Sequence, residues 1–198
     1  MKQFWNQRYR EHTTVYGEAP NEFFREFIDL HQPGTLLLPA EGEGRNAIYA
    51  ARQGWQVFAF DFSEVAQEKA LARAAREKVA IQYELMSLDE YRPLRSYDLV
   101  ALIYVHMAEP LRTAFHQAAA ESLRPGGFLI LEAYSRDQLR FDSGGPREEA
   151  LLYDAATLYH DFHPRLHVIS CNQEEVDLRE GPFHQGKASV VRLIARNL

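Results

Sequence analysis

The apolar positions of the chain fall in short blocks separated by alanine-rich, charged segments. Residues 35–39, Thr-Leu-Leu-Leu-Pro, are an apolar run too short for a helix and suited to a buried strand, and Gly34 after Gln32-Pro33 marks the turn before it. Residues 45–53, with Ala47, Ile48, Ala50 and Ala51, predict a helix that Gly54 ends just beyond its last turn. A second strand is expected over 55–60. Ser63 then caps a helix running to about Lys78, whose alanines and long side chains favour helix and whose alternating charges mark a solvated face. A third strand is expected over 79–83.

Residues 97–105 form the most apolar stretch, as expected of a parallel strand covered on both faces, and this one belongs at the sheet centre. Pro110 suits the first position of a helix with Leu111, Ala114, Phe115, Ala118 and Ser122 at helical spacing. Arg124-Pro125-Gly126-Gly127 stops that helix, and 128–133 reads as the next strand. A helix near 154–162 precedes two extended runs, 166–178 and 188–195, joined by 179–187; so short a connection predicts an antiparallel pair.

The alternation of strand and helix implies right-handed crossovers and an α/β fold of the Rossmann-like, doubly wound kind. Seven strands are expected, mostly parallel, with the antiparallel pair at the C-terminal end. At the front, residues 21–30 carry Phe23, Phe24, Phe27 and Ile28 on one helical face. The segment before them holds Trp5, Tyr9 and Tyr16, an aromatic set that reads either as a lid over a site or as packing onto the core. The chain is expected to be a single domain, 1–198, with 1–32 as N-terminal lid and helix and 33–198 as core.

Composition narrows the partners. With 46% hydrophobic and 25% charged residues among 198, the chain is an ordinary globular protein long enough for one α/β core. A formal charge of -6 opposes the basic face that sequence-independent nucleic-acid binding needs. Cys171 is the sole cysteine, which excludes an internal disulfide and a thiolate metal cluster and points to a reducing compartment. No apolar run approaches the roughly 18 residues of a membrane span, and the first ten residues hold no apolar targeting core. A cytoplasmic enzyme, monomer or homodimer, acting on a small molecule with no nucleic-acid or membrane partner, is the expectation.

The loop after the first strand carries the candidate chemistry. Pro39-Ala40-Glu41-Gly42-Glu43-Gly44-Arg45-Asn46-Ala47 lies where open α/β sheets bind ligands, and Gly42 and Gly44 allow a tight turn with close backbone approach. Gly42-x-Gly44-x-x-Ala47 loosely matches a dinucleotide fingerprint. A pyrophosphate, however, would meet the carboxylates of Glu41 and Glu43 where the helix N-terminus is wanted as an anion site. S-adenosylmethionine (SAM) carries a sulfonium and an ammonium and no phosphate, so the acidic loop suits it better. Nineteen residues after Gly42, Asp61 ends the second strand, where a carboxylate accepts from ribose hydroxyls; its alternative is helping Ser63 cap the helix.

With these residues in place, the chain resembles the class I SAM-dependent methyltransferases, and among them the small tellurite-resistance and thiopurine methyltransferase-like group. The motifs that carry the resemblance are Glu43-Gly44-Arg45-Asn46, Asp61-Phe62-Ser63, Tyr97-Asp98-Leu99-Val100 and Leu123-Arg124-Pro125-Gly126-Gly127, in the order and at the spacings of that fold. The resemblance implies that Ala40, Glu41, Gly42, Gly44, Arg45 and Asn46 cradle the methionine part and that Asp61, Phe62 and Ser63 meet the ribose. Met86, Ser87 and Leu88 would flank the adenine. Two positions depart from the family: Leu38 replaces the usual acid inside the first strand and Ser87 the usual Asp after the third. Glu41 or a carbonyl must then serve the SAM ammonium.

Methyl transfer from a sulfonium is an in-line displacement with an activated donor, so orientation does most of the catalysis, and the product is S-adenosylhomocysteine (SAH). A thiol or chalcogen oxyanion needs little help from a base; an alcohol or amine needs one, usually histidine. His106, after the fourth strand, is either a substrate-side base or a structural histidine, and Tyr104 lines the cofactor pocket. His184, between the last two strands, is either catalytic or a hairpin residue exposed to water. Tyr134 and residues 143–147, with Trp5 and Tyr16, are candidate substrate contacts, the loop's alternative being ordinary surface. His160, His163 and His167 with Asp161 read as a solvated helix end rather than a metal cluster, so no metal is expected, and Cys171 as an inert thiol. Competing functions are a nicotinamide-dependent oxidoreductase and a non-catalytic SAM-binding module.

Overall fold

The computed structural model describes residues 2–198. In chain order the elements are α1 (Lys2–Glu11), α2 (Glu22–Leu30), β1 (Thr35–Pro39), α3 (Arg45–Arg52), β2 (Gln56–Asp61), α4 (Glu64–Glu77) and β3 (Gln82–Leu85). They continue with β4 (Tyr97–Ile103), α5 (Leu111–Glu121), β5 (Leu123–Tyr134), α6 (Ala155–Phe162), β6 (His167–Arg179) and β7 (Gln185–Arg196). One seven-stranded sheet has the order β3-β2-β1-β4-β5-β7-β6, with β4 at its centre. Strands β1 to β5 pair in parallel, and β7 inserts antiparallel between β5 and β6.

The continuous apolar runs exist because both sheet faces are covered. Leu36, Leu38, Leu99, Ala101 and Ile103 point to the face packed by α2 and α3, while the alternate residues Leu37, Val100 and Leu102 point to the face packed by α5 and α6. On α2, Phe23, Phe24, Phe27 and Ile28 are all buried against the first face, each burial stabilising by about 1.5–3 kcal/mol. Asn21 caps that helix by accepting from the Phe24 amide at 2.9 Å.

Three boundaries differ from expectation for identifiable reasons. Strand β3 starts at Gln82 rather than Val79, because Lys78 takes a left-handed φ of 58° and the Val79 amide closes back on the Ala74 carbonyl, so the helix terminus consumes the residues expected in the strand. Pro110 is the residue before α5 rather than its first; of the expected stripe Phe115 and Ser122 are buried and Leu111 and Ala118 pack against the core, Ala114 is exposed, and His116, Ala119 and Ala120 join the buried face. The face extends to His116, which is wholly buried with Nδ1 2.8 Å from Asp161, itself accepting from Arg112 at 2.9 Å. Asp161 is therefore inside the fold, correcting its reading as solvated; His160, His163 and His167 are exposed. Finally, β5 begins at Leu123, before the Pro-Gly-Gly segment, with a register irregularity opposite Tyr97 to Leu99. Among the described residues no helix is long and apolar enough to cross a membrane.

Candidate active site

Sheet order reverses between β1 and β4, where a crevice must open at the strands' carboxyl ends. A cavity of about 510 Å³ lies there, lined by Ala40 to Glu43, Arg45, Asn46, Asp61 and Phe62 at one end and by Tyr104, His106, Tyr134 and His184 at the other. Two residues at its rim, Ala40 (φ 49°) and Tyr104 (φ 56°), hold left-handed backbone without being glycine, and they end the adjacent strands β1 and β4. Such strain persists where surrounding structure overrides it, typically at sites.

In the glycine loop, the Glu41 carboxylate accepts from the Asn46 and Ala47 amides at 2.9 and 2.8 Å, sitting on the free N–H groups of the α3 N-terminus. Burial raises its pKa to about 7, against the pull of those donors. Glu43 points elsewhere: it accepts from the Val15 amide at 2.7 Å and pairs with Lys69 at 2.8 Å, tying down the segment after α1. Both acids line the cavity, but their carboxylates are bound to different partners within the fold. Asp61 receives the Gly42 amide at 3.1 Å and the Ser63 amide at 2.8 Å, one on each oxygen, and burial raises its pKa. Gly42 is forced, since with φ 62° its Cβ would lie 2.7 Å from the Tyr9 hydroxyl.

At the other end, His106 is half-buried, with Nδ1 2.7 Å from the Leu151 carbonyl while Nε2 accepts from the Tyr134 amide at 3.4 Å. Both ring nitrogens are engaged and burial pushes its pKa down to about 4. These contacts are what a structural histidine would make, on a side chain that also lines the cavity. His184 is only 3% exposed, so the reading of a water-exposed hairpin residue is corrected. Its ring packs on Tyr16 at 4.2 Å, Tyr104 at 4.6 Å and Tyr134 at 5.4 Å, and its Nδ1 lies 3.4 Å from Glu180 Oε2. The buried hydroxyls of Tyr104 and Tyr134 have no hydrogen-bond partner among the described residues.

Comparison with known proteins bears on this arrangement. Residues 39–127, from the end of β1 to the start of β5, match the family described as methyltransferase domain. No curated protein sequence matches the chain. TehB from Haemophilus influenzae superposes with a TM-score of 0.76 at 16% identity, over 100% of this chain and 67% of that one. The N-methyltransferase NodS from Bradyrhizobium japonicum WM9, solved in complex with SAH, gives 0.74 at 14% identity over 99% and 97%. A protein whose structure is described under conversion of a disulfide bond into a thioacetal group during echinomycin biosynthesis gives 0.80 at 17% identity over 100% and 91%.

The fold is that of the class I methyltransferases. Within this methyltransferase fold, the sequence-predicted residues Ala40, Glu41, Gly42, Arg45, Asn46, Asp61, Phe62, Leu88, Tyr104, His106, Tyr134, His184, Trp5 and Tyr16 all line the one cavity. Gly44 (φ 79°) stands just before α3, where a Cβ would meet that of Ala70 at 2.8 Å. Ser63, Met86 and Ser87 are not in the lining: the Ser63 hydroxyl caps α4 and donates to Asn6, Met86 packs against the core, and the Ser87 hydroxyl donates to Glu90 at 2.7 Å. Of the three residues 86–88, Leu88 is in the lining and Met86 and Ser87 are not.

Sequence reasoning missed Glu180. It joins Arg45 Nη2 at 2.7 Å, Asn21 Nδ2 at 2.9 Å and His184, and Asn21 in turn reaches Glu132, which pairs with Arg192 at 2.6 Å. The aromatic segment around α1 does lie over the cavity, with Trp5, Arg8 and Tyr9 in its wall. The loop over 143–147 also contributes, through Gly145, Pro146 and Arg147. At Gly144 (φ 123°) a Cβ would stand 2.4 Å from the Phe183 carbonyl and 3.0 Å from both the Tyr134 hydroxyl and His184 Cδ2. Gly144→Ala is expected to push this loop off the histidine end. The acceptor KM should rise about tenfold or more while SAM affinity by calorimetry stays within twofold, given that small displacements near reacting groups carry large effects.

Proposed function

We propose that the protein transfers the methyl group of SAM to a small-molecule acceptor and releases SAH. The observation that carries this reading is the single cavity joining Asp61 and the glycine loop to a chamber walled by Tyr104, Tyr134 and His184. Asp61 keeps a free lone pair on each oxygen for the ribose hydroxyls after binding Gly42 and Ser63, while Phe62 and Leu88 offer apolar walls to the adenine. Glu41, in the wall beside the glycines, provides the anionic partner for the ammonium that Leu38 does not. When bound, SAM supplies an already activated methyl group. The chain's residues then hold the acceptor in line, exclude water beneath α1 and the loop 143–147, and place polar groups around the nucleophile.

A nicotinamide dinucleotide fits poorly, since the Glu41 carboxylate already occupies the α3 amides that a pyrophosphate would need. A thiol or chalcogen oxyanion, the acceptor that the tellurite-resistance and thiopurine resemblance implies, is a candidate class that leans little on a base. Titration calorimetry with SAM and SAH is the direct test. Micromolar binding of both is expected, as for small-ligand sites of this size. Binding of NAD without SAM would remove the reading, and tight SAH binding with no SAH release across thiols, selenite, tellurite and hydroxylated acceptors would leave a non-catalytic binding module.

A further inference from the structure

The turn between β6 and β7 closes through the Glu180 amide and the His184 carbonyl at 2.9 Å, so residues 180 and 184 stand side by side. Glu180 Oε2 is shared by Arg45 at 2.7 Å and His184 Nδ1 at 3.4 Å, and Oε1 accepts from Asn21. This leaves Nε2 as the one nitrogen of the His184 ring without a protein partner among the described residues, on a side chain that lines the chamber. The rings of Tyr104 and Tyr134 wall the same chamber, while their hydroxyl oxygens are closed off from it. Their rings stand 4.8 Å apart, each in edge contact with His184.

Resting on the methyltransferase reading, we propose that the acceptor is a hydroxyl carried directly on a flat aromatic ring, that His184 removes its proton, and that Glu180 is the positioning residue that orients and supports His184. The chamber walls are aromatic rings, which favour a planar guest through stacked or edge contacts. The step balances: the S–CH3 bond breaks with its electron pair passing to sulfur, the O–CH3 bond forms, and the hydroxyl proton moves to Nε2. The sulfonium charge thus becomes an imidazolium charge facing Glu180.

Acidity selects the acceptor. An aromatic hydroxyl ionises near 10, whereas burial holds His184 below the ordinary histidine value of about 6.5, so the proton moves in concert with displacement rather than before it. An aliphatic hydroxyl, comparable with water at about 15.7, leans more heavily on the base. The groups facing His184 are Glu180 on its own turn, Arg45 from α3, Arg8 from α1 and Tyr16 after it, with Tyr104 and Tyr134 from β4 and β5. Burial and the two arginines keep the ring neutral at neutral pH, as a base must be, while Glu180 opposes them. Burial would raise Glu180 itself, but its bonds to His184 and Arg45 hold it at about 2 and so ionised throughout.

The test uses the full chain with SAM and three acceptors, phenol, 4-nitrophenol and thiophenol, at a mildly alkaline pH where 4-nitrophenol is ionised and phenol is not. His184→Gln is expected to lower kcat on phenol by about 10²-fold or more and on 4-nitrophenol by less than tenfold. Glu180→Gln should lower kcat on phenol with little change in KM, and shift the acid limb of its pH profile downward, since loss of the anion disfavours imidazolium. Because Glu180 lies in a buried network, a second measurement stands beside it: the His184 ring titration by NMR in the wild-type protein, expected to fall below 6.5 with Nδ1 protonated. Equal losses on phenol and 4-nitrophenol in His184→Gln, or turnover of thiophenol alone, overturn the proposal while leaving methyl transfer intact. Failure of the wild-type protein to bind SAM defeats the methyltransferase reading itself.

Discussion

Asp61→Ala is expected to weaken SAM binding by about 3 kcal/mol or more, on the order of 10²-fold, because it removes two charge-assisted hydrogen bonds to the ribose. The effect has two sources that a second variant separates. Asp61 also holds the loop itself, receiving the Gly42 amide on one oxygen and the Ser63 amide on the other. Asp61→Asn keeps one carbonyl oxygen for these amides but turns the other position into a donor, which opposes an amide and can still face a hydroxyl. The asparagine variant should therefore bind SAM less tightly than wild type yet better than the alanine variant, with a smaller loss of thermal stability. Titration calorimetry of both variants with SAH, alongside thermal denaturation, reads the two contributions independently. Unchanged SAH affinity in Asp61→Ala would remove the ribose assignment.

Most of the sheet was legible because its signals are local and strong. A strand buried on both faces must be apolar at every position, so β1 and β4 stood out, and the β6–β7 pair followed from a short connection. The signal failed where a helix end and a strand competed for the same residues, as at Val79, whose amide closes α4. It also fell short where a polar pair joined the buried face: His116 pairs with Asp161, 45 residues away, and sits in the core beside the apolar stripe of α5. Apolar periodicity carries no information about a partner on another helix.

The candidate site divides in the same way. The glycine loop and Asp61 were legible because backbone conformation and strand-end position are encoded within a few residues. Their side-chain partners were not: Glu43 lines the cavity yet is tied to the Val15 amide and Lys69. Glu180 left no signal at all. Its meaning depends on Arg45, 135 positions away, and on Asn21, 159 away, which only the folded chain brings together. His184 looked like a hairpin tip because its burial comes from Tyr16, Tyr104 and Tyr134, none of them its neighbours in sequence.

Glu41→Gln is expected to stabilise the ligand-free protein at pH 8 by up to about 3 kcal/mol and to leave it unchanged at pH 4, as measured by urea denaturation. Burial raises the Glu41 pKa to about 7, above the roughly 4.3 of an unfolded chain. Folding therefore favours the protonated form. The contribution of Glu41 to stability is fully present below about pH 4.3 and is lost as pH rises to about 7, at about 1.36 kcal/mol per pH unit. Glutamine stays neutral throughout, and its carbonyl oxygen accepts the Asn46 and Ala47 amides that a single oxygen of Glu41 accepts now. A buried carboxylate that costs stability at neutral pH calls for a compensating function, and a cationic ligand supplies one. A neighbouring ammonium lowers the Glu41 pKa, so wild-type SAM affinity should rise between pH 5 and 7 with proton release on binding, seen as buffer-dependent calorimetric heats. In Glu41→Gln both signatures should vanish and SAM should bind more weakly. Equal stability of the two proteins at pH 8, with SAM affinity flat across that range in wild type, would place Glu41 outside the ligand's reach.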